Sequence, residues 1–219
     1  MIKRELKERE KIVIYLLLVI SLFSFIFLLL NISNTNVLTD LDKKINLQME
    51  NNQSSFLVAA SKIISAIFDQ AIFVALLLFI TLYLFYKKRK KEAICLIFLT
   101  AISFSLEQLI KIVTQRVRPL NAVVFEKTFS FPSGHALMAV IFIGTLVYLF
   151  EHHIKSNKRR NFLTIISVLL IILISSTRIY MNVHWFTDVL AGFALGIFLL
   201  MSYIIIIQHT DIFKTKQSL

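Results

Sequence analysis

FPSGHALMAVIFIGTLVYLF, residues 131–150, sets a small polar cluster directly ahead of an unbroken apolar run. No charged residue follows His135 until Glu151. Such a run belongs in a bilayer or a buried core. Ser133 is a residue type that caps helices. The unpaired amides of the first turn then face whatever lies ahead of them, and the helix dipole favours an anion there. Gly134 lets an oxygen approach the backbone closely. His135, on that turn and protonated, can give its proton to a leaving oxygen. Taken alone, the stretch reads equally well as an ordinary capped helix with an interfacial histidine.

The rest of the chain repeats the pattern. Of its 219 residues 57% are hydrophobic, against about 45–50% for a soluble domain. Apolar runs near the roughly 20 residues that span a bilayer occur six times, at about 12–31, 68–86, 92–112, 134–150, 162–181 and 186–208. The expected fold is all-α: a polytopic membrane protein of six transmembrane helices forming one domain over 1–219. The first run follows a basic start, Met1 to Lys11, but is longer than a signal-peptide core and has no A-x-A-like site after it; it reads as a retained helix. Cys95 is the only cysteine, so neither a disulfide nor a metal framework is expected.

The net charge of +11 reads as topology rather than as nucleic-acid binding. Sixteen of the 24 Lys and Arg fall in residues 1–11, 87–91, 151–160 and the tail after 208. The positive-inside rule puts these segments, and both termini, in the cytoplasm of a cell membrane. The run Lys87–Lys91 reads as an anchor on anionic inner-leaflet lipids. His152–His153 lacks metal-ligand partners and reads as solvated.

The longest loop, 32–67, is then on the outer side. Leu38, Leu41, Ile45 and Met49 recur at helical spacing, and Thr39 with Asp42 resembles a capping box. This segment reads as an interfacial helix, a cover over a site or, most simply, an amphipathic connector. A second amphipathic piece, 56–67, leads into the second span. Gly192 and Gly196 form a GxxxG pair, which fits close packing inside the fold or in a dimer. Both prolines, Pro119 and Pro132, flank a loop over 114–132.

Polar groups at membrane depth mark functional sites. Lys111 ends the third span, Arg118 stands before Pro119 and Arg178 closes the fifth span. Arg holds two phosphate oxygens at once and Lys adds a point charge; singly, each also reads as a snorkelling cation. Glu107, one turn before Lys111, is placed to position it. His184 and Asp188 share a helical face. Asp188 can take the Nδ1 proton and leave Nε2 free to attack phosphorus, though such a pair alone is more often structural. Phe125, Phe129 and Phe131 flank the loop and read as contacts to the outer leaflet or a lipid tail.

Taken together, Lys111-x6-Arg118-Pro119, Pro132-Ser133-Gly134-His135 and Arg178-x5-His184-x3-Asp188 resemble the type-2 phosphatidic acid phosphatase superfamily, over about residues 107–196. The resemblance implies an integral-membrane, metal-independent lipid phosphatase with no cofactor. It implies phosphate binding by Lys111, Arg118, Ser133, Gly134 and Arg178, His184 as nucleophile with Asp188 as its partner, and His135 as general acid. Three positions depart from the usual pattern: Thr177 for Ser, Asn182 for Gly and Phe186 for Pro.

The function expected is dephosphorylation of an isoprenoid diphosphate, undecaprenyl diphosphate first, at the extracytoplasmic helix ends. The Ile-, Lys- and Asn-rich usage resembles an AT-rich bacterial genome. The alternatives are a glycerolipid phosphatase acting on phosphatidylglycerophosphate or phosphatidic acid, a lipid phosphotransferase, and a lipid-phosphate binder without turnover. The expected partners are the lipid substrate and the bilayer, with no nucleic acid. Oligomeric state is not written in the sequence.

Overall fold

The structure, a computed structural model, describes residues 8–32, 37–151 and 154–216. His152–His153 and the first seven residues of the basic start lie outside the described residues. Among the described residues eight helices follow in order: α1 (Glu8–Asn31), α2 (Val37–Asn51), α3 (Ser55–Ile67), α4 (Gln70–Tyr86), α5 (Lys90–Thr114), α6 (Gly134–Phe150), α7 (Asn157–Tyr180) and α8 (Phe186–Lys216).

Five stretches are long and apolar enough to cross a membrane: 8–31, 55–86, 90–114, 157–180 and 186–209. The sixth expected span is α6, which has only 17 residues. It is the buried centre of the bundle, with every side chain from His135 to Ile141 buried. It packs against α8, α7 and α4, while α8 also meets α1 and α5. That explains why α6 is apolar all round. The outer helices expose large apolar side chains such as Phe23, Phe79 and Phe98, as lipid-facing surfaces do.

The 56–67 piece before the second span is a helix of its own, α3, packed on α7 with Ser61 and Ser65 buried. The break comes at Phe68–Asp69, where Asp69 caps α4 by accepting the Ala71 N–H at 2.8 Å. The GxxxG pair faces inward. A methyl on Gly196 would lie 2.9 Å from Val140 Cβ, and one on Gly192 would lie 2.5 Å from the Ser133 carbonyl. The two glycines therefore bring α8 against α6.

The turn from α7 to α8 accounts for two of the departures. Asn182 has φ 53°, the left-handed region that Gly enters freely and Asn tolerates. Phe186 is the first residue of α8, a position where proline's missing N–H costs nothing.

The connector over 37–51 is a helix tied down at many points. Asn182 Nδ2 donates to the Asn46 carbonyl, Asn46 Nδ2 to Asn121 Oδ1, and Asn121 Nδ2 to Glu50 Oε2. Thr39 is not its cap, because α2 already runs from Val37, and Asp42 turns into the protein with 2% exposure.

Candidate active site

Lys111, Ser133, Gly134, His135, Arg178, His184 and Asp188 all sit at the same end of the bundle, and Arg118 reaches them from the loop after α5. A cavity of about 670 Å³ is lined there by Lys111, Arg118, Glu126, Gly134, His135 and His184. Its walls continue between α4 and α5 along Val74, Leu78, Ile97, Ala101 and Phe104. Ile97 is fourteen residues before Lys111, or about 21 Å down the helix at ~1.5 Å per residue. The cavity therefore has a cationic head and a long apolar groove.

His184 is buried, and its two ring nitrogens are set differently. Nδ1 is 2.8 Å from the Ser130 carbonyl. A carbonyl only accepts, so Nδ1 carries the proton. Nε2 is 3.1 Å from Arg118 Nη1, a donor, which leaves the Nε2 lone pair turned toward the cavity cations. Burial pushes the His184 imidazole well below its ordinary value, and Arg118, Arg178 and Lys111 push the same way. The ring is neutral at physiological pH.

Asp188 is the more distant partner. Its Oδ2 is 3.5 Å from Nδ1 and accepts the Trp185 N–H at 2.9 Å. The expected His184–Asp188 pair is thus present, but the nearest acceptor of the Nδ1 proton is the Ser130 carbonyl. Asp188 also closes the first turn of α8, as the acidic member of a capping box does.

The cations are held from behind. Lys111 Nζ donates to Glu107 Oε1 at 2.7 Å, the expected pair, and Gln70 Nε2 also donates to Glu107. Arg118 donates to the carbonyls of Thr128 and Val183, each at 2.8 Å. Arg178 donates to Ser65 Oγ and to Glu126. His135 Nε2 lies 3.4 Å from Ser65 Oγ and 3.8 Å from Asp69 Oδ2, so the α3–α4 break brings a carboxylate to it.

Ser133 precedes α6 as its N-cap, but its hydroxyl makes no capping bond. Two buried polar atoms of the site, Ser133 Oγ and Arg178 Nε, have no hydrogen-bond partner among the described residues. Orphaned groups of this kind are costly unless a ligand satisfies them, and a phosphate oxygen suits both.

Four participants were not read from the sequence. Glu126 stands between Arg178 and Arg118, 3.7 Å from the latter. Burial alone would raise its carboxyl, but Arg178 and Arg118 outweigh that and hold it below its ordinary value. A phosphate has to compete with this carboxylate. Arg116 bonds Asp188, Thr187 and Asp42. Ser65 and Asp69 attend His135. Phe131 also departs from expectation: it is fully buried and stacks on Phe25 at 6.2 Å. Phe125 does stand out, at 86% exposure.

A helical membrane bundle with clustered cations and a neutral imidazole at one end is built to hold an anion beside a base. Residues 92–211 match the PAP2 superfamily, and the chain belongs to it. Phosphatidylglycerophosphatase B of Bacillus subtilis (strain 168) is 28% identical over 182 residues, covering 82% of this chain and 90% of that protein. An undecaprenyl-diphosphatase of Sulfolobus acidocaldarius is 33% identical over 122 residues, covering 52% of this chain and 55% of that one. The crystal structure of a transmembrane PAP2-type phosphatidylglycerolphosphate phosphatase from Bacillus subtilis superposes with a TM-score of 0.79 at 25% identity, covering 88% of this chain and 96% of that chain. The chain is a lipid phosphatase of the membrane.

Proposed function

We propose that the chain hydrolyses the terminal phosphate of an isoprenoid diphosphate, undecaprenyl diphosphate first, through a phosphohistidine at His184. The observation that carries this reading is the gathering of Lys111, Arg118, His135 and His184 at the head of one apolar groove, with the unpartnered Ser133 Oγ and Arg178 Nε at the same end of the bundle. His184 Nε2 forms the bond to phosphorus as the bond to the leaving oxygen breaks. The electron pair leaves on that oxygen, which takes a proton from His135. Water then attacks the phosphohistidine, gives its proton to His135 and frees phosphate and His184. Lys111, Arg118 and Arg178 hold the charge that spreads over the equatorial oxygens. No step needs a metal. A single groove between α4 and α5 suits one polyisoprenoid chain. The distribution of the basic segments supports a reaction on the extracytoplasmic face.

A second reading has its own support. The relative that covers 82% of the chain is a phosphatidylglycerophosphatase. Phosphate release is therefore measured with detergent-purified protein in excess EDTA, with undecaprenyl diphosphate and phosphatidylglycerophosphate in competition. Release should persist in EDTA, favour the isoprenoid and fall by at least ~10³-fold in His184→Ala. Preference for the glycerolipid would move the substrate and leave the chemistry. Turnover that survives His184→Ala would refute the covalent route.

A further inference from the structure

We infer that Asp42 and Arg116 are positioning residues that set the charge Asp188 presents to His184. The inference rests on the reading of His184 as the nucleophile. Asp188 is fully buried, and its Oδ1 accepts from Arg116 Nη1. Left there, the guanidinium would cancel most of the negative charge facing the imidazole. Asp42 prevents this from the other side. Its Oδ2 accepts from Arg116 Nη2 at 2.7 Å and from the Thr187 hydroxyl at 2.6 Å, while Oδ1 accepts the Thr187 N–H at 2.9 Å. Thr187 Oγ1 in turn accepts from Arg116 Nη1 at 2.7 Å. Arg116 is thus shared between two carboxylates that are 0% and 2% exposed, and both carboxylate oxygens of Asp42 are used.

Two carboxylates and one guanidinium leave the cluster with one net negative charge. His184 is neutral before attack and carries a positive ring afterwards, because Nδ1 keeps its proton while Nε2 bonds phosphorus. A buried, fixed negative charge beside that ring stabilises the transition state more than the ground state, and so acts on kcat. Neutralising Asp42 makes the cluster neutral. Removing Arg116 leaves two buried carboxylates with no cation between them, an arrangement that does not persist ionised. Removing both charges restores one net negative charge, now on Asp188 alone.

The test compares Asp42→Asn, Arg116→Gln and the double variant, using kcat and KM for the preferred lipid and vanadate inhibition as a check on the pocket. Each single variant should lose at least ~10-fold in kcat with KM changed little. The double variant should be more active than either single one. Packing alone predicts the opposite, since losses from two structural defects accumulate. A double variant no better than the worse single variant, or a loss confined to KM, overturns the inference. Should one single variant not purify as a monodisperse protein, the other still decides against the double variant. Radiolabelled phosphate trapped on wild type, and absent from His184→Ala, tests the underlying reading separately. Failure there removes the phosphohistidine and with it the premise of the inference, an outcome distinct from trapped phosphate with a double variant that does not recover.

Discussion

At the scale of the residue, His184 shows how an imidazole is kept neutral among cations. The Ser130 carbonyl fixes the tautomer, and burial, helped by the three cations, keeps the ring unprotonated. Because the folded value lies well below the ordinary one, acidification reaches this ring late. His184 should keep the neutral Nδ1–H form at pH about 6, where an exposed histidine is mostly charged. Ring-nitrogen resonances of histidine-labelled protein, assigned by difference with His184→Ala, report this directly; an imidazolium signature at that pH would contradict the electrostatic account. The same depression ties stability to pH. It is present above the ordinary imidazole value and lost as pH falls through that value toward the folded one. The site residues named by the motifs were legible because their types and order are unusual at helix ends. Arg116 was not, since two residues before Arg118 it passes for one more membrane-edge cation. Asp42 left one sign: it lies four residues after Leu38 and three before Ile45, a charge on the apolar stripe of its helix. The Ser133 hydroxyl, which local chemistry sets as a cap, instead lies buried without a capping bond.

Among the elements, α6 and α8 carry the architecture. The apolar runs predicted both, but α6's shortness became meaningful only with its burial on all sides. The GxxxG pair left fold and dimer open, and the contact of Gly196 with Val140 and Leu137 settles it inside the fold. Gly196→Ala should overpack this contact at a cost of ~1–3 kcal/mol and lower the melting temperature of the purified protein by several degrees. Gly144→Ala is the comparison. Its new methyl meets the end of a flexible side chain, Leu200 Cδ2, so its loss should be smaller. Equal losses would mean that the two glycines are not distinguished by what they touch. The break between α3 and α4 falls where the sequence reading separates the 56–67 piece from the second span. Asp69 at that break both caps α4 and stands beside His135, and only the second of these roles needed the tertiary structure.

For the whole molecule, the distribution of Lys and Arg predicts that the site faces away from the cytoplasm. Lys127, on the loop beside the site, and Lys155, between α6 and α7, are both exposed. In a Cys95→Ser background, Lys127→Cys should react with an impermeant maleimide on intact cells, and Lys155→Cys only after permeabilisation. The reverse pattern would invert the orientation and with it the compartment in which product appears.

The docking of α2 has a pharmacological consequence. Inhibitors of enzymes that take lipids from the bilayer usually have to be greasy enough to follow the substrate into its groove. Here a carboxylate that reaches His184 through Arg116 and Asp188 is delivered by a helix on the same end as the site, held to its neighbours by Asn46, Asn182 and the Asp42 cluster. If the inference on Asp42 and Arg116 holds, a water-soluble peptide or antibody fragment that levers this helix away would lower kcat without competing for lipid, and substrate accumulation would not overcome it.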